Sequence, residues 1–209
     1  MALNYPSPFH HILMTTTTLN ETFASIASIL DIKEENIKGR IHEVAENNHR
    51  YLKDLKLNLG YALECEFLNK KETSLLALAT AANDKNTLLI GAFKKLAIEN
   101  GATEPELADV FACVSLMNTN NVLYRFRHFT KKDYYEQTPA KIKMSIMIDP
   151  IVGKEFFELI STAVSALNGC EMCVNAHEAS LLKMGSSQAR IYDAVRVASI
   201  IKGISNAIY

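Results

Sequence analysis

An all-α fold is predicted by three features of the sequence. Apolar residues recur at helical spacing, the eight Gly and five Pro fall mostly between those runs, and no hairpin dipeptide sits between alternating apolar segments. Ala, Leu, Ile, Lys and Glu dominate alongside Asn, a mixture that favours helices.

Residues 1–20 are expected to form a flexible N-terminal segment. Pro6 and Pro8 interrupt any helix, Thr15 to Thr18 is a polar β-branched run, and His10-His11 reads as a loose terminal pair. Residues 21–209 then read as a single helical domain. Leu52, Leu55 and Leu59 share one helix face, as do Leu75, Leu78, Ala79 and Ala82, then Leu88, Leu89, Ala92, Phe93 and Leu96. Asn100-Gly101 and Met184-Gly185 read as helix stops. Thr103-Glu104-Pro105-Glu106 and Ser186-Ser187-Gln188 read as helix starts, with Pro105 suited to a first turn. Pro139 and Pro150 are expected to bracket a short connecting helix over 140–147.

A chain of 209 residues with 48% apolar composition supports a substantial core. A net charge of −1 argues against a general nucleic-acid footprint. Residues 1–20 lack the basic start and apolar stretch of a signal peptide, and no apolar run is long enough to span a bilayer. A cytoplasmic location is therefore expected. In a reducing compartment, a close cysteine pair reads as redox-active or metal-binding.

An internal repeat emerges when the chain is displaced by 84 residues. Leu75 falls on Leu159, Ala79 on Ala163, Gly101 on Gly185, and Asp109 on Asp193. Two similar helical units, about 72–124 and 156–208, are expected. Only the second carries a chemical run: Cys170, Cys173, His177 and Glu158 fall on Asn86, Leu89, Phe93 and Ser74 of the first.

That run is Gly169-Cys170-Glu171-Met172-Cys173-Val174-Asn175-Ala176-His177. On a helix, Cys170, Cys173 and His177 share one face. The spacing suits dithiol redox chemistry, in which one sulfur attacks, its neighbour closes a disulfide and an imidazole helps form the thiolate. Asn168-Gly169 would end the preceding helix in a sharp turn, leaving Cys170 at the start of the next, where unpaired N–H groups favour an anion. Thiols of Cys-x-x-Cys pairs at such positions have pKa values lowered to roughly 3.5–7.5. Glu158 is the candidate to orient His177. At roughly 1.5 Å per residue it lies about 15 Å back from the turn and His177 about 10 Å beyond it, an approximate match that one water could bridge.

These residues resemble the alkyl hydroperoxidase D (AhpD) family, within the carboxymuconolactone-decarboxylase-like group. The family signature is Glu, eleven residues, Cys, two residues, Cys, three residues, His, and here it reads Glu158, Cys170, Cys173, His177. Phe157-Glu158-Leu159, Asn168-Gly169-Cys170, Ala176-His177-Glu178, Asn120-Asn121-Val122-Leu123-Tyr124-Arg125 and Lys53 to Leu59 also look similar, so the likeness covers roughly residues 50–209. It implies an AhpD-like helical fold with a pseudo-repeat, assembled as a homotrimer or a multiple of it. It also implies an antioxidant thiol peroxidase that reduces organic hydroperoxides or recharges an AhpC-type peroxiredoxin. Electrons come from dihydrolipoyl groups on dihydrolipoamide acyltransferase. Carried over by position, Cys173 is the peroxidatic thiol and passes through a sulfenic acid, Cys170 resolves it as a Cys170–Cys173 disulfide, and His177 and Glu158 move protons. The family requires no haem, flavin or metal. The sequence departs from the family at Met172, where AhpD proteins often carry a second histidine, so a relay through two histidines is not expected.

Other readings are weighed against this one. Cys170, Cys173, His177 and Glu158 offer four ligands for zinc, but no second Cys/His pair supports such a site. A dithiol adaptor that docks a peroxiredoxin or lipoyl domain without peroxide turnover would fit Met172. Lactone decarboxylation gives a redox dithiol no role. Cys65 and Cys113 read as small buried hydrophobes. Tyr124 to Phe129 mixes basic and aromatic residues, and interface packing is preferred there to RNA binding.

Overall fold

The computed structural model describes residues 21–47 and 49–209, so the segment 1–20, with His10-His11, lies outside the described residues. The described residues contain helices and no strand. In chain order they are α1 (within 21–29), α2 (Ile41–Asn47), α3 (His49–Leu63), α4 (Lys70–Asn83), α5 (Thr87–Glu99), α6 (Glu104–Thr130), α7 (Asp133–Gln137), α8 (Lys154–Leu167), α9 (Glu171–Lys183) and α10 (Gln188–Ala207).

Two helices form the centre. Every residue from Thr73 to Ala81 of α4 is buried, as is every residue from Phe156 to Ser165 of α8. A helix covered on all sides must satisfy its polar side chains internally. The hydroxyls of Ser74, Thr80, Ser161 and Thr162 accordingly donate to carbonyls one turn back, at 2.7–3.0 Å. Around this pair, α10 packs on both α4 and α8, and α6 does the same. The N-terminal helices close one end, where the Tyr209 amide donates to the Lys38 carbonyl at 3.1 Å. Gly39, at φ +100°, permits that closure, because a Cβ there would lie 2.8 Å from the Tyr209 ring.

The helix boundaries repeat. Lys70–Asn83, Thr87–Glu99 and the start at Glu104 reappear at Lys154–Leu167, Glu171–Lys183 and the start at Gln188, each displaced by 84 residues. The turns repeat with them: Lys85 (φ 58°) matches Gly169 (φ 67°), and Gly101 (φ 89°) matches Gly185 (φ 91°). Thr103 caps α6 in a reciprocal box with Glu106, with Pro at the first turn, and Ser187 caps α10 through the Arg190 amide. The stops and starts read from sequence at these four places hold, because short polar caps and left-handed glycines act locally.

An ion pair is conserved in position and reversed in sign between the two trios. Lys71 on α4 bonds Glu106 on α6 at 2.8 Å. At the matching places Glu155 on α8 meets Arg190 on α10 at 2.9 Å. Arg190 also grips Glu72 at 2.6 Å and the Phe67 carbonyl at 2.8 Å, so one guanidinium ties α4, α8 and α10. Burial would raise the Glu155 carboxyl, but Arg190 and the Ser186 hydroxyl outweigh it and hold it below its usual value.

The expected helix over 140–147 is absent. Residues 139–144 are non-helical and only Ser145–Met147 forms a 3₁₀ turn. From Lys141 to Ile146 exposed and half-buried residues alternate, which is the period of extended chain. Lys141 also adopts φ 52°, and Pro139 keeps Thr138 extended at ψ 128°.

Arg190→Met is expected to destabilise the fold by about 2–4 kcal/mol in urea unfolding at pH 7, because two partly buried carboxylates lose their cation. The depressed Glu155 contributes stability above the unfolded glutamate pKa of about 4.3, and that contribution is lost as pH falls through its lower folded value. The difference between wild type and variant should therefore shrink below about pH 4.3; a difference that stays constant down to pH 3 would contradict this role.

Candidate active site

The chemistry-bearing residues gather where α8 turns into α9. Asn168 ends α8 and Gly169 takes the left-handed conformation that reverses the chain. The Cys170 amide then bonds the Ser165 carbonyl at 3.0 Å, closing the turn against α8. Cys170 is the N-cap of α9 and supplies no side-chain cap hydrogen bond. The matching residue, Asn86, caps α5 by accepting from the Leu89 amide at 3.1 Å. Replacing that capping amide by a sulfur leaves the first-turn N–H groups of α9 to favour negative charge on the thiols.

Cys170 and Cys173 form a disulfide, with Cα atoms 5.3 Å apart. Both are buried, Cys170 to 1% exposure and Cys173 to 7%, so the second is the more exposed residue of the pair. His177 follows Cys173 by one helical turn. Its Nδ1 meets Glu158 Oε2 at 2.6 Å, with side-chain exposures of 12% and 9%. The two groups meet without the intervening water that residue counting left open, because α8 and α9 pack closely enough for direct contact. Glu158 is a buried carboxylate on a buried helix, and the imidazole is the partner that makes its burial tolerable. A carboxylate on Nδ1 leaves Nε2 as the ring nitrogen free to exchange protons with a reacting group. All four expected residues thus lie along one hairpin.

Sequence reasoning missed a polar cluster beneath the turn. Asn168 accepts from Asn83 at 3.0 Å and donates to Asn121 at 2.9 Å, while the Arg125 guanidinium donates to its carbonyl. Asn121 donates to Ser165 at 3.0 Å, and Asn118 donates to Asn83 at 2.8 Å. The frequency of Asn along α6 was the available signal. Arg127 donates to the Thr138 carbonyl at 2.5 Å and lies over the Tyr124 ring, so both arginines of the basic-aromatic run are committed within the chain. Among the described residues, no three His, Cys, Asp or Glu side chains gather to hold a metal ion.

The other thiols differ from each other. Cys113 is fully buried against Ser161 at 3.4 Å, and desolvation pushes its thiol up to about 12. Cys65 is only half-buried, contrary to the expectation of full burial, because it sits in the loop after α3; partial burial still raises its thiol.

A family model described as carboxymuconolactone decarboxylase family matches residues 135–209. Curated relatives include the alkyl hydroperoxide reductase AhpD of Anaeromyxobacter dehalogenans (strain 2CP-C), 38% identical over 157 residues, covering 75% of this chain and 83% of that protein. The protein of the same name from Coxiella burnetii (strain RSA 493 / Nine Mile phase I) is 38% identical over 159 residues, covering 74% and 89%. That from Maricaulis maris (strain MCS10) is 40% identical over 157 residues, covering 74% and 89%.

After reduction, iodoacetamide at pH 8 should label Cys173 quickly, Cys65 slowly, and Cys113 only on unfolding. A thiol with its pKa near 12 is on the order of 10⁻⁴ ionised at that pH. Peptide mass spectrometry over time checks the order; early labelling of native Cys113 would contradict its burial.

Proposed function

The chain belongs to the alkyl hydroperoxide reductase AhpD family, and from that premise we propose that it is an antioxidant thiol peroxidase acting on organic hydroperoxides through Cys170 and Cys173. The observation that carries the reading is the buried Glu158–His177 contact one helical turn from Cys173, on the helix whose start holds both thiols.

The reduced enzyme attacks with the Cys173 thiolate at the distal oxygen of the hydroperoxide. The O–O bond breaks, an S–O bond forms, and the departing alkoxide takes a proton through His177, held by Glu158. Cys173 is then a sulfenic acid. Cys170 attacks its sulfur, water leaves, and the disulfide forms. A dihydrolipoyl dithiol, of the kind carried by dihydrolipoamide acyltransferase, restores both thiols by exchange and is itself oxidised. The greater exposure of Cys173 supports its role as the sulfur that meets peroxide. An AhpC-type peroxiredoxin is the partner whose disulfide the same dithiol would reduce. The reading also carries a cytoplasmic, reducing location and a homotrimer or multiple of it. Val122, Phe126 and Phe129, exposed on one face of α6, support assembly.

A second reading is a dithiol adaptor without peroxide turnover. It is favoured by Met172, which offers no imidazole beside Cys173.

Consumption of tert-butyl hydroperoxide with dihydrolipoamide separates the two. Cys173→Ser and Cys170→Ser are each expected to abolish turnover, and Glu158→Gln to slow it on the order of 10²-fold through loss of proton transfer. Unchanged turnover in both cysteine variants would overturn the peroxidase reading. Absent turnover in the wild type, with a mixed disulfide to a peroxiredoxin or lipoyl domain trapped by Cys170→Ser, would establish the adaptor.

A further inference from the structure

The scaffold half of the molecule provides a built-in control for the working turn. The position of Asn168 corresponds to Asp84 in the scaffold half, and the position of Asn118 on α6 corresponds to Lys202 on α10 of the working half; these two form an ion pair across the halves at 2.6 Å. At the working turn the matching pair, which also crosses between the halves, is neutral, Asn168 donating to Asn118 at 3.5 Å. The scaffold also has Asn86 in place of Cys170, and Asn86 reaches Ser205 on α10 at 3.2 Å. Thus an ionic turn has been replaced by an amide turn at the place where two thiols must become thiolates.

The replacement has a physical reason. A carboxylate two residues before Cys170 would oppose ionisation of the nearby sulfurs. An unpaired lysine from α6 would have been left by removing the carboxylate alone. The amides avoid both, and every polar group of Asn168 is used. Its Oδ1 accepts from Asn83, its Nδ2 donates to Asn121, and its carbonyl accepts from Arg125. Ser165 is held similarly: its hydroxyl accepts from Asn121 and its carbonyl from the Cys170 amide. Arg125 is the cation that remains, and it is fixed on the turn.

We propose that Asn168, held by Arg125 and the asparagines of α4 and α6, is a positioning residue for Cys170: the cluster fixes the α8–α9 turn and keeps carboxylate charge off it. This rests on the dithiol reading above. The charged groups around the dithiol are otherwise shared out. Glu158 on α8 binds His177 on α9, and Glu171 at the start of α9 faces His128 of α6 at 3.3 Å. Glu178 lies one residue beyond His177 along α9. On α10, Arg190 is committed to Glu72 and Glu155, and Asp193 to Arg196. Arg125 and Asn168 therefore set the polarity of the turn itself.

The test uses the full chain with Asn168→Asp, Arg125→Met and Arg125→Lys, and reads alkylation rate against pH and the midpoint potential of the Cys170–Cys173 couple in a glutathione buffer. Asn168→Asp restores the scaffold's residue in nearly the same volume. It and Arg125→Met are expected to slow alkylation at pH 7 by about three- to tenfold, to move the pH profile upward, and to make the couple harder to reduce. Arg125→Lys keeps the charge and should recover most of the profile. If thermal melting shifts while the pH profile and potential of all three match wild type, the cluster is structural only and the proposal is overturned. Should Asn168→Asp fail to fold, the contrast of Arg125→Met with Arg125→Lys decides alone. These measurements involve no peroxide, so they stand or fall separately from turnover.

Discussion

A carboxylate buried in the middle of an apolar helix sets the terms for this molecule. Glu158 lies on α8, with neighbours covered on every side, and a lone buried charge would be strongly unfavourable. Its partner has to come from the next helix, and that requires α9 to run back along α8 closely enough for His177 to touch it. The left-handed Gly169 makes the reversal possible, and the reversal brings the cysteines to the helix start. The same hairpin is built by α4 and α5 with Ser74 and Phe93 at these places, so the contact fixes the imidazole on a packing that both trios share.

The two helical trios share one scaffold and differ at the chemistry-bearing positions. Boundaries, left-handed turns and even the site of a cross-helix ion pair are shared, with Lys71–Glu106 answered by Glu155–Arg190. At the chemical positions the halves diverge: Ser74 becomes Glu158, Asn86 becomes Cys170, Leu89 becomes Cys173 and Phe93 becomes His177. The capping amide of one half gives way to a sulfur in the other, which exchanges local helix stability for open N–H groups near a thiol.

Much of this was legible in the sequence because it is governed by local rules. Caps at Thr103 and Ser187 and turns at Gly101, Gly169 and Gly185 need only a few neighbouring residues, and the Cys170, Cys173, His177 spacing needs only the helical period. The segment 140–147 departs from the helix expected between Pro139 and Pro150 because its alternating apolar residues suit extended chain. The direct Glu158–His177 contact depended on how closely two helices pack, which residue counting along an axis does not fix. Arg190 and the asparagine cluster join residues up to 123 positions apart, and single-sequence periodicity carries no information about such pairs. Aligning the chain with itself did carry some. The opposite charges at 71/155 and 106/190 lie in register, and read as a pair they would have indicated the α4–α6 and α8–α10 ties.

Cys173, served by His177 and Glu158, is proposed as the sulfur that takes oxygen from a hydroperoxide. Dimedone trapping in Cys170→Ser after one equivalent of cumene hydroperoxide tests it most directly, because the sulfenic acid cannot be resolved there. A dimedone adduct on Cys173, with none on Cys65 or Cys113, is expected. No adduct on Cys173, with peroxide unconsumed or the label on another thiol, would contradict the assignment.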